Sequence, residues 1–81
     1  MVNADVRKIS PAQLRAARAW LRWSQDDLSA RAGVSKSSIA DYETGKSLPY
    51  SGTLASLQRT IEAEGIEFLF DGLVPKGITI P

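Results

Sequence analysis

The sequence predicts a single, mainly α-helical domain in which four short helices precede a short C-terminal β-hairpin or strand pair. Three observations support this fold class. Helix-capping residues recur just before apolar stripes of helical period, glycines follow the ends of those stripes, and the apolar pattern becomes partly alternating after Gly65. With 81 residues, the chain has room for one domain.

The first helix is predicted to start at Ser10-Pro11-Ala12-Gln13. This segment has a capping serine, a proline at the first helical position and a glutamine three residues after the cap. Its apolar stripe consists of Leu14, Ala17 and Leu21. The positions expected outside the stripe are Gln13, Arg15 and Arg22. Arg18 lies on the stripe, so its charged head either reaches water along the core or forms half of a buried pair.

The second and third helices are predicted to be close neighbours joined by a very tight turn. Ser24 caps the second helix, which carries two carboxylates in its first turn and stops at Gly33. Only Val34 separates Gly33 from the next cap, Ser35, and the third helix should occupy about 36–44. Two short helices this close must cross steeply, which is the geometry of a helix-turn-helix.

The third helix has two unlike faces. One face carries Ile39, Tyr42 and Glu43, and the other is small, polar and free of bulky apolar groups. Residues of that second face are Lys36, Ser37, Ala40, Asp41 and Thr44.

The C-terminal part begins with a fourth helix whose cap is Ser51 or Thr53. Leu54, Leu57 and Ile61 form its stripe, and it ends at Gly65. Residues 66–70 and 76–80 are then candidate strands, with Asp71-Gly72 as a turn signal.

Composition argues against catalysis and against a membrane protein. The chain has no histidine and no cysteine, which removes the usual general base, the thiol nucleophile and thiolate or imidazole metal ligands. We therefore expect no catalytic residues, metal, cofactor or small-molecule substrate. Apolar runs reach only three residues and the start lacks the apolar stretch of a secretory signal, so a cytoplasmic protein without membrane contact is expected.

The net charge of +1 conceals a gradient along the chain. Residues 1–46 contain eight basic and five acidic side chains, a balance of +3, whereas residues 47–81 contain two basic and four acidic ones, a balance of −2. This asymmetry suggests that the first half faces a polyanion and the second half has another role.

Residues 23–46 resemble the DNA-binding core of phage-repressor (Cro/CI, XRE-type) helix-turn-helix regulators. The resemblance rests on Ser-Gln opening the second helix, a leucine three residues after Gln25, Gly-Val-Ser at the turn, Ile39, and the closing Glu-x-Gly-Lys. It implies a compact lambda-repressor-like domain over residues 9–65, with the motif at 25–44. Residues 66–81, outside the resemblance, are expected to form a C-terminal β-strand tail and a possible dimerisation element. It also implies a transcriptional regulator, repressor or activator, that binds double-stranded DNA.

The resemblance assigns contacts to particular residues, because a B-DNA major groove admits one helix while the preceding helix lies across the backbone. Base-reading positions would be Lys36, Ser37, Ala40, Asp41 and Thr44. Phosphate contacts would come from Ser24, Gln25, Ser35, Lys46 and Ser47, with Gln25 also buttressing Lys36. Asp41 is either a selective reader or, paired with Lys36 or Lys46, the mark of a weak general DNA binder.

The resemblance further implies a structural ion pair between Arg18 and Glu43. Proteins of this size commonly bind half-sites as two-fold dimers, and the dimerisation candidates in the tail are Ile66, Phe68, Phe70 and Ile78. Two arrangements of the tail remain open: a hairpin folded back on the first and fourth helices, covering Trp20 and Ile61, or strands that pair between subunits. The alternative function is an antitoxin or adaptor, in which the apolar tail binds a protein partner.

Overall fold

A computed structural model describes residues 7–81 and contains four helices followed by a two-stranded antiparallel sheet. The elements are α1 (Pro11–Leu21), α2 (Gln25–Ala32), α3 (Lys36–Glu43), α4 (Ser51–Glu62), β1 (Glu67–Asp71) and β2 (Val74–Thr79). The predicted mainly α-helical fold with a C-terminal hairpin is confirmed.

The first three helices begin at the serines that the sequence identified as caps. Ser10 accepts a hydrogen bond from the Gln13 N–H, and the Gln13 side chain accepts one from the Ser10 N–H. Ser24 and Asp27 make the same reciprocal bonds, and the bond that the Ser24 N–H donates to the Asp27 carboxylate lowers the pKa of that group. Ser35 accepts from the Ser38 N–H at the start of α3.

The predicted cap of α4 is wrong. Neither Ser51 nor Thr53 caps this helix, because Tyr50 is the N-cap residue and makes no side-chain capping bond. The Tyr50 carbonyl already accepts from the Leu54 N–H at 3.0 Å, so the chain enters the helix at Ser51. At the end of α3, Thr44 is the C-cap residue rather than part of the helix.

One apolar core joins the helices to the hairpin. Leu14 and Ala17 of α1 are fully buried as the stripe predicts, although Leu21 is only partly buried. The other core side chains are Ile9, Leu28, Val34, Ile39, Tyr42, Leu54, Leu57, Ile61, Ile66 and Phe68. Gln13, expected outside the stripe, is instead 4% exposed, because the hairpin covers this side of α1.

The hairpin is folded back against its own chain, which is the first of the two arrangements left open by the sequence. The Gln13 amide donates to the backbone carbonyls of Leu69 and Gly77, both at 2.8 Å, and so fastens both strands to α1. Ile66 and Phe68 are buried in the shared core, which leaves these two dimerisation candidates little surface for a partner. Trp20 is not covered, however, since 52% of it stays exposed.

The strand register places a two-residue turn at Gly72-Leu73 and an irregularity near the middle of the hairpin. Leu69 pairs with Gly77, but Phe70 pairs with Pro75, so Lys76 lies outside the regular pairing. Gly72 has a φ of 62°, the left-handed backbone that such turns require and that glycine adopts most easily. The turn signal is therefore confirmed, with the turn one residue later than predicted.

Among residues 7–81, no helix is both long and apolar enough to cross a lipid bilayer.

Candidate nucleic-acid interface

The turn between α2 and α3 is as short as the sequence predicts and sets the angle between these helices. Gly33 ends α2 with a φ of 69°, and its N–H donates to the Ser29 carbonyl at 3.0 Å. Val34 is then buried, and Ser35 caps α3. Because backbone bonds and a buried side chain fix the turn, α3 is held rigidly against α2.

The five predicted base-reading positions lie on one outward side of α3. Lys36, Ser37 and Thr44 are exposed, while Ala40 and Asp41 are half-buried. The opposite side of the helix supplies Ile39, Tyr42 and Glu43 to the interior. α3 therefore presents a face of small and polar side chains to solvent, with its bulky groups turned inward.

The hydroxyl groups on this side of the molecule are partly engaged by α3 itself. The Ser35 hydroxyl donates to the Ser38 hydroxyl at 2.9 Å, and the hydroxyl oxygens of Ser35 and Ser37 are 3.4 Å apart. Thr44 donates back to the carbonyls of Ala40 and Asp41. The Thr44 hydroxyl can therefore accept a hydrogen bond, but its proton is already used. The Thr44 methyl group remains available for an apolar contact.

Lys36 pairs with a residue that the sequence reasoning did not select. Its Nζ lies 3.4 Å from Oδ2 of Asp26, in the first turn of α2, instead of pairing with Asp41. The two side chains are 56% and 73% exposed, so water screens their attraction. The positive charge at the start of α3 is thus accompanied by a negative charge from α2.

An ion pair beneath the outward face connects α1 to α3. Arg18 donates from Nε to Oε2 of Glu43 and from Nη2 to Oε1, both at 2.8 Å. Its remaining Nη1 donates to the Trp23 carbonyl at 3.0 Å. Glu43 is 3% exposed and Arg18 is 21% exposed, so the carboxylate is the more deeply buried partner.

Glu43 also holds α2, through a contact that sequence reasoning missed. Gln25 donates from Nε2 to Oε1 of Glu43 at 3.0 Å, and Arg15 donates to the Glu43 backbone carbonyl. The structure therefore places Gln25 against Glu43, not against Lys36 as the resemblance implied. No sequence signal identifies this contact, because Gln25 and Glu43 are 18 residues apart on different helices.

The surroundings of Glu43 keep it ionised. Burial raises the pKa of its carboxyl, but hydrogen bonds from Arg18 and Gln25 and the charges of Arg18 and Arg15 outweigh that effect, so the pKa lies below its usual value. Glu43 in turn raises the pKa of Arg18. The cluster thus joins three helices through an ion pair.

The predicted phosphate contacts occupy the two helix starts and the loop after α3. Ser24, Ser35, Lys46 and Ser47 are exposed, and Gln25 is half-buried. Both capping serines accept backbone hydrogen bonds of their own helices. In the loop, the N–H groups of Lys46 and Ser47 donate to the Asp41 carbonyl, which fixes the backbone that carries the Lys46 side chain.

Arg31 is a further cation, within the motif, to which the sequence assigned no contact. Its guanidinium lies 4.3 Å from the centre of the Trp23 ring, within the range of a cation–π contact. This contact orients Arg31 at the last turn of α2.

Comparison with known proteins agrees with this geometry. A family model described as a helix-turn-helix domain matches residues 12–68. An uncharacterized HTH-type transcriptional regulator of Sinorhizobium fredii, y4dL, is 42% identical over 52 residues, which are 64% of this chain and 26% of that protein. The chain therefore spans about a quarter of the length of this relative.

Proposed function

Because the chain belongs to the family of helix-turn-helix domains, we propose that it is a sequence-specific regulator of transcription that binds double-stranded DNA through α3. The exposed face of small and polar residues on a rigidly held α3 carries this proposal. Such a helix fits a major groove about 12 Å wide, since bulky side chains do not keep its backbone away from the base edges. The name of the S. fredii relative agrees with a role in transcription.

The base contacts follow from the donor and acceptor chemistry of each side chain. Lys36 donates to O6 or N7 of guanine, and Asp41 accepts from N4 of cytosine. Ser37 pairs with several bases, and Ala40 contacts a thymine methyl group. Thr44, whose proton is engaged within α3, contributes an acceptor or a methyl contact.

The phosphate contacts are proposed at Ser24, Gln25, Ser35, Lys46 and Ser47. Helix N-termini attract anions through unpaired N–H groups and the helix dipole, and Lys46 adds a charge beyond the other end of α3. Gln25 can serve the backbone only with the part of its amide that Glu43 does not hold. We therefore expect Lys46 to contribute more to affinity than Gln25.

A two-fold dimer on an inverted repeat completes the proposal. One module of this size reads few base pairs, and two modules on half-sites about 34 Å apart double the readout. Among the four dimerisation candidates, Phe70 and Ile78 are half-buried rather than part of the core, so these two keep surface for a partner.

Selection of bound sequences from a random double-stranded DNA pool tests the function. We expect enrichment of an inverted repeat whose half-sites are about one helical turn apart. The matched control is a Lys36→Glu, Ser37→Glu double variant, whose exposed changes leave the core intact. Enrichment of the same sequence by that variant would exclude α3 as the reader.

Absence of any enrichment would instead favour the alternative, a protein-interaction module. A protein partner captured equally well by the wild type and by the double variant would support that alternative, because the changes alter α3 and leave the rest of the surface as it is.

A further inference from the structure

The charges around the start of α3 do not favour indiscriminate binding to DNA. Lys36 is the single cation among the five base-reading positions, and Asp41 is the single anion. Asp26 adds a second negative charge within 3.4 Å of the Lys36 ammonium. These three side chains together carry a net charge of −1, which is unusual for a surface that must approach a polyanion.

Asp26 has a different role from its neighbour Asp27. The α2 cap uses Asp27, whose carboxylate accepts the Ser24 N–H. Asp26 instead directs its carboxylate to Lys36 on the next helix. Because the short turn holds α2 and α3 rigidly, the start of α2 keeps this exposed carboxylate close to the first base-reading residue.

We propose that Asp26 is a specificity-determining residue that makes Lys36 read bases in preference to phosphates, an inference that rests on the proposed DNA-binding function. Phosphate oxygens carry a full negative charge, and Asp26 repels them from Lys36. The O6 and N7 atoms of guanine belong to a neutral base, so the charge of Asp26 repels them much less than it repels a phosphate. Asp26 therefore weakens the backbone-only mode of binding more than the base-reading mode.

The strength of the pair suits such a preference. An ion pair between two exposed side chains changes an equilibrium by at most about fivefold. A good contact to guanine discriminates against a wrong base by about fivefold to 150-fold. Because the Lys36 ammonium has three donors, it can bind the correct base while it stays beside Asp26, whereas a phosphate is repelled by the charge of Asp26.

The test compares Asp26→Asn with Asp71→Asn by fluorescence anisotropy, on the selected operator and on random DNA. Both variants lose one negative charge at an exposed residue, but Asp71 ends β1 in the hairpin. For Asp26→Asn we expect random-DNA affinity to rise about threefold to fivefold and operator affinity to change less than about twofold. For Asp71→Asn we expect both affinities to change less than about twofold.

Salt dependence and a double variant add independent readouts. If Lys36 gains a phosphate in Asp26→Asn, the slope of log affinity against log salt on random DNA should steepen by about 0.9. Adding Lys36→Gln to Asp26→Asn should cancel both the gain in affinity and the change in slope.

The possible failures can be told apart. Equal effects of Asp26→Asn and Asp71→Asn would show that only net charge matters and would overturn the inference. Equal tightening of operator and random DNA by Asp26→Asn would also overturn it, while leaving the DNA-binding function intact. A wild-type protein that does not distinguish operator from random DNA would refute the proposed function, and this inference with it.

Discussion

At the scale of single residues, Arg18 and Glu43 differ in how far each can recover when its partner is lost. Glu43 is 3% exposed, whereas Arg18 is 21% exposed and also donates to the Trp23 carbonyl. Loss of Arg18 leaves the buried Glu43 carboxylate without its ion-pair partner. The cost of desolvating that carboxylate is then no longer offset by the attraction to Arg18. Loss of the Glu43 charge leaves an arginine that water can reach.

The first prediction ranks two variants of this pair. Arg18→Met should lower the free energy of unfolding by about 3–5 kcal/mol, and Glu43→Gln by about 1–3 kcal/mol because an amide retains part of the hydrogen bonding. Urea unfolding followed by circular dichroism measures both, with the exposed Arg59→Met as control. A larger loss in Glu43→Gln than in Arg18→Met would contradict the ranking.

The second prediction concerns pH. The pKa of Glu43 is lower in the folded protein than its ordinary value of 4.5, so its stabilising contribution is present above that pH and is lost as pH falls through the folded pKa. The difference in melting temperature between wild type and Glu43→Gln should therefore shrink from about pH 6 to about pH 3. The pKa of Asp27 is also lowered in the fold, so Asp27 contributes a pH dependence in the same direction. Because both proteins contain Asp27, its effect cancels in the difference. A constant difference would argue against an ionised Glu43 in the fold.

Sequence reasoning was effective for local contacts and weaker for distant ones. The bonds between Ser10 and Gln13 span three residues, and residue type and spacing alone predict them. The bonds from Gln13 to Leu69 and Gly77 cross 56 and 64 residues, and no periodicity reports them. Gln13 consequently looked like a solvated polar residue although the hairpin buries it.

At the scale of elements, the hairpin depends on α1 for its stability. An isolated two-stranded hairpin is marginal in water, and here Phe68 packs into the core while Gln13 bonds to both strands. The change of apolar period after Gly65 predicted both strands. It did not reveal which surface the strands cover. An alternating pattern distinguishes the two faces of a strand but does not identify the element that packs against either face.

The third prediction tests this dependence. Gln13→Leu removes the donor to Leu69 and Gly77 together with half of the Ser10 capping box, which should cost about 1–3 kcal/mol. Amide hydrogen exchange should accelerate most in β1 and β2, since their attachment to α1 is weakened. The control is Gln58→Leu, a half-buried glutamine of α4 whose amide donates to Glu62 of the same helix rather than to the strands. Unchanged protection of the hairpin in Gln13→Leu would show that Gln13 does not secure the strands.

At the scale of the whole molecule, the free edges of the hairpin are poorly suited to pairing with a second copy. Two-fold antiparallel pairing of β1 about Leu69 would set Glu67 opposite the partner's Asp71, a contact between like charges. β2 contains Pro75, which has no N–H to donate, and an irregularity at Lys76. These features favour a dimer contact through side chains such as Phe70 and Ile78 over a continuous sheet.

The overall dimensions make the proposed dimer testable on DNA. The described residues of one chain, 7–81, measure 34 × 28 × 21 Å, so their longest dimension matches one turn of B-DNA. Two chains related by a two-fold axis can therefore lie side by side on the same face of the duplex. In the proposed dimer, a rigid contact between the chains would fix the separation and the rotational phase of the half-sites.

The fourth prediction follows from that phase. Inserting about five base pairs between the half-sites of the selected operator rotates one of them by roughly half a turn, onto the opposite face of the DNA. Affinity should then fall to that of a single half-site, because a rigid dimer cannot bind both. Anisotropy titrations with the intact operator, the lengthened operator and an isolated half-site measure this. If the lengthened operator keeps full affinity, the chains bind independently, and recognition depends on one α3 at a time.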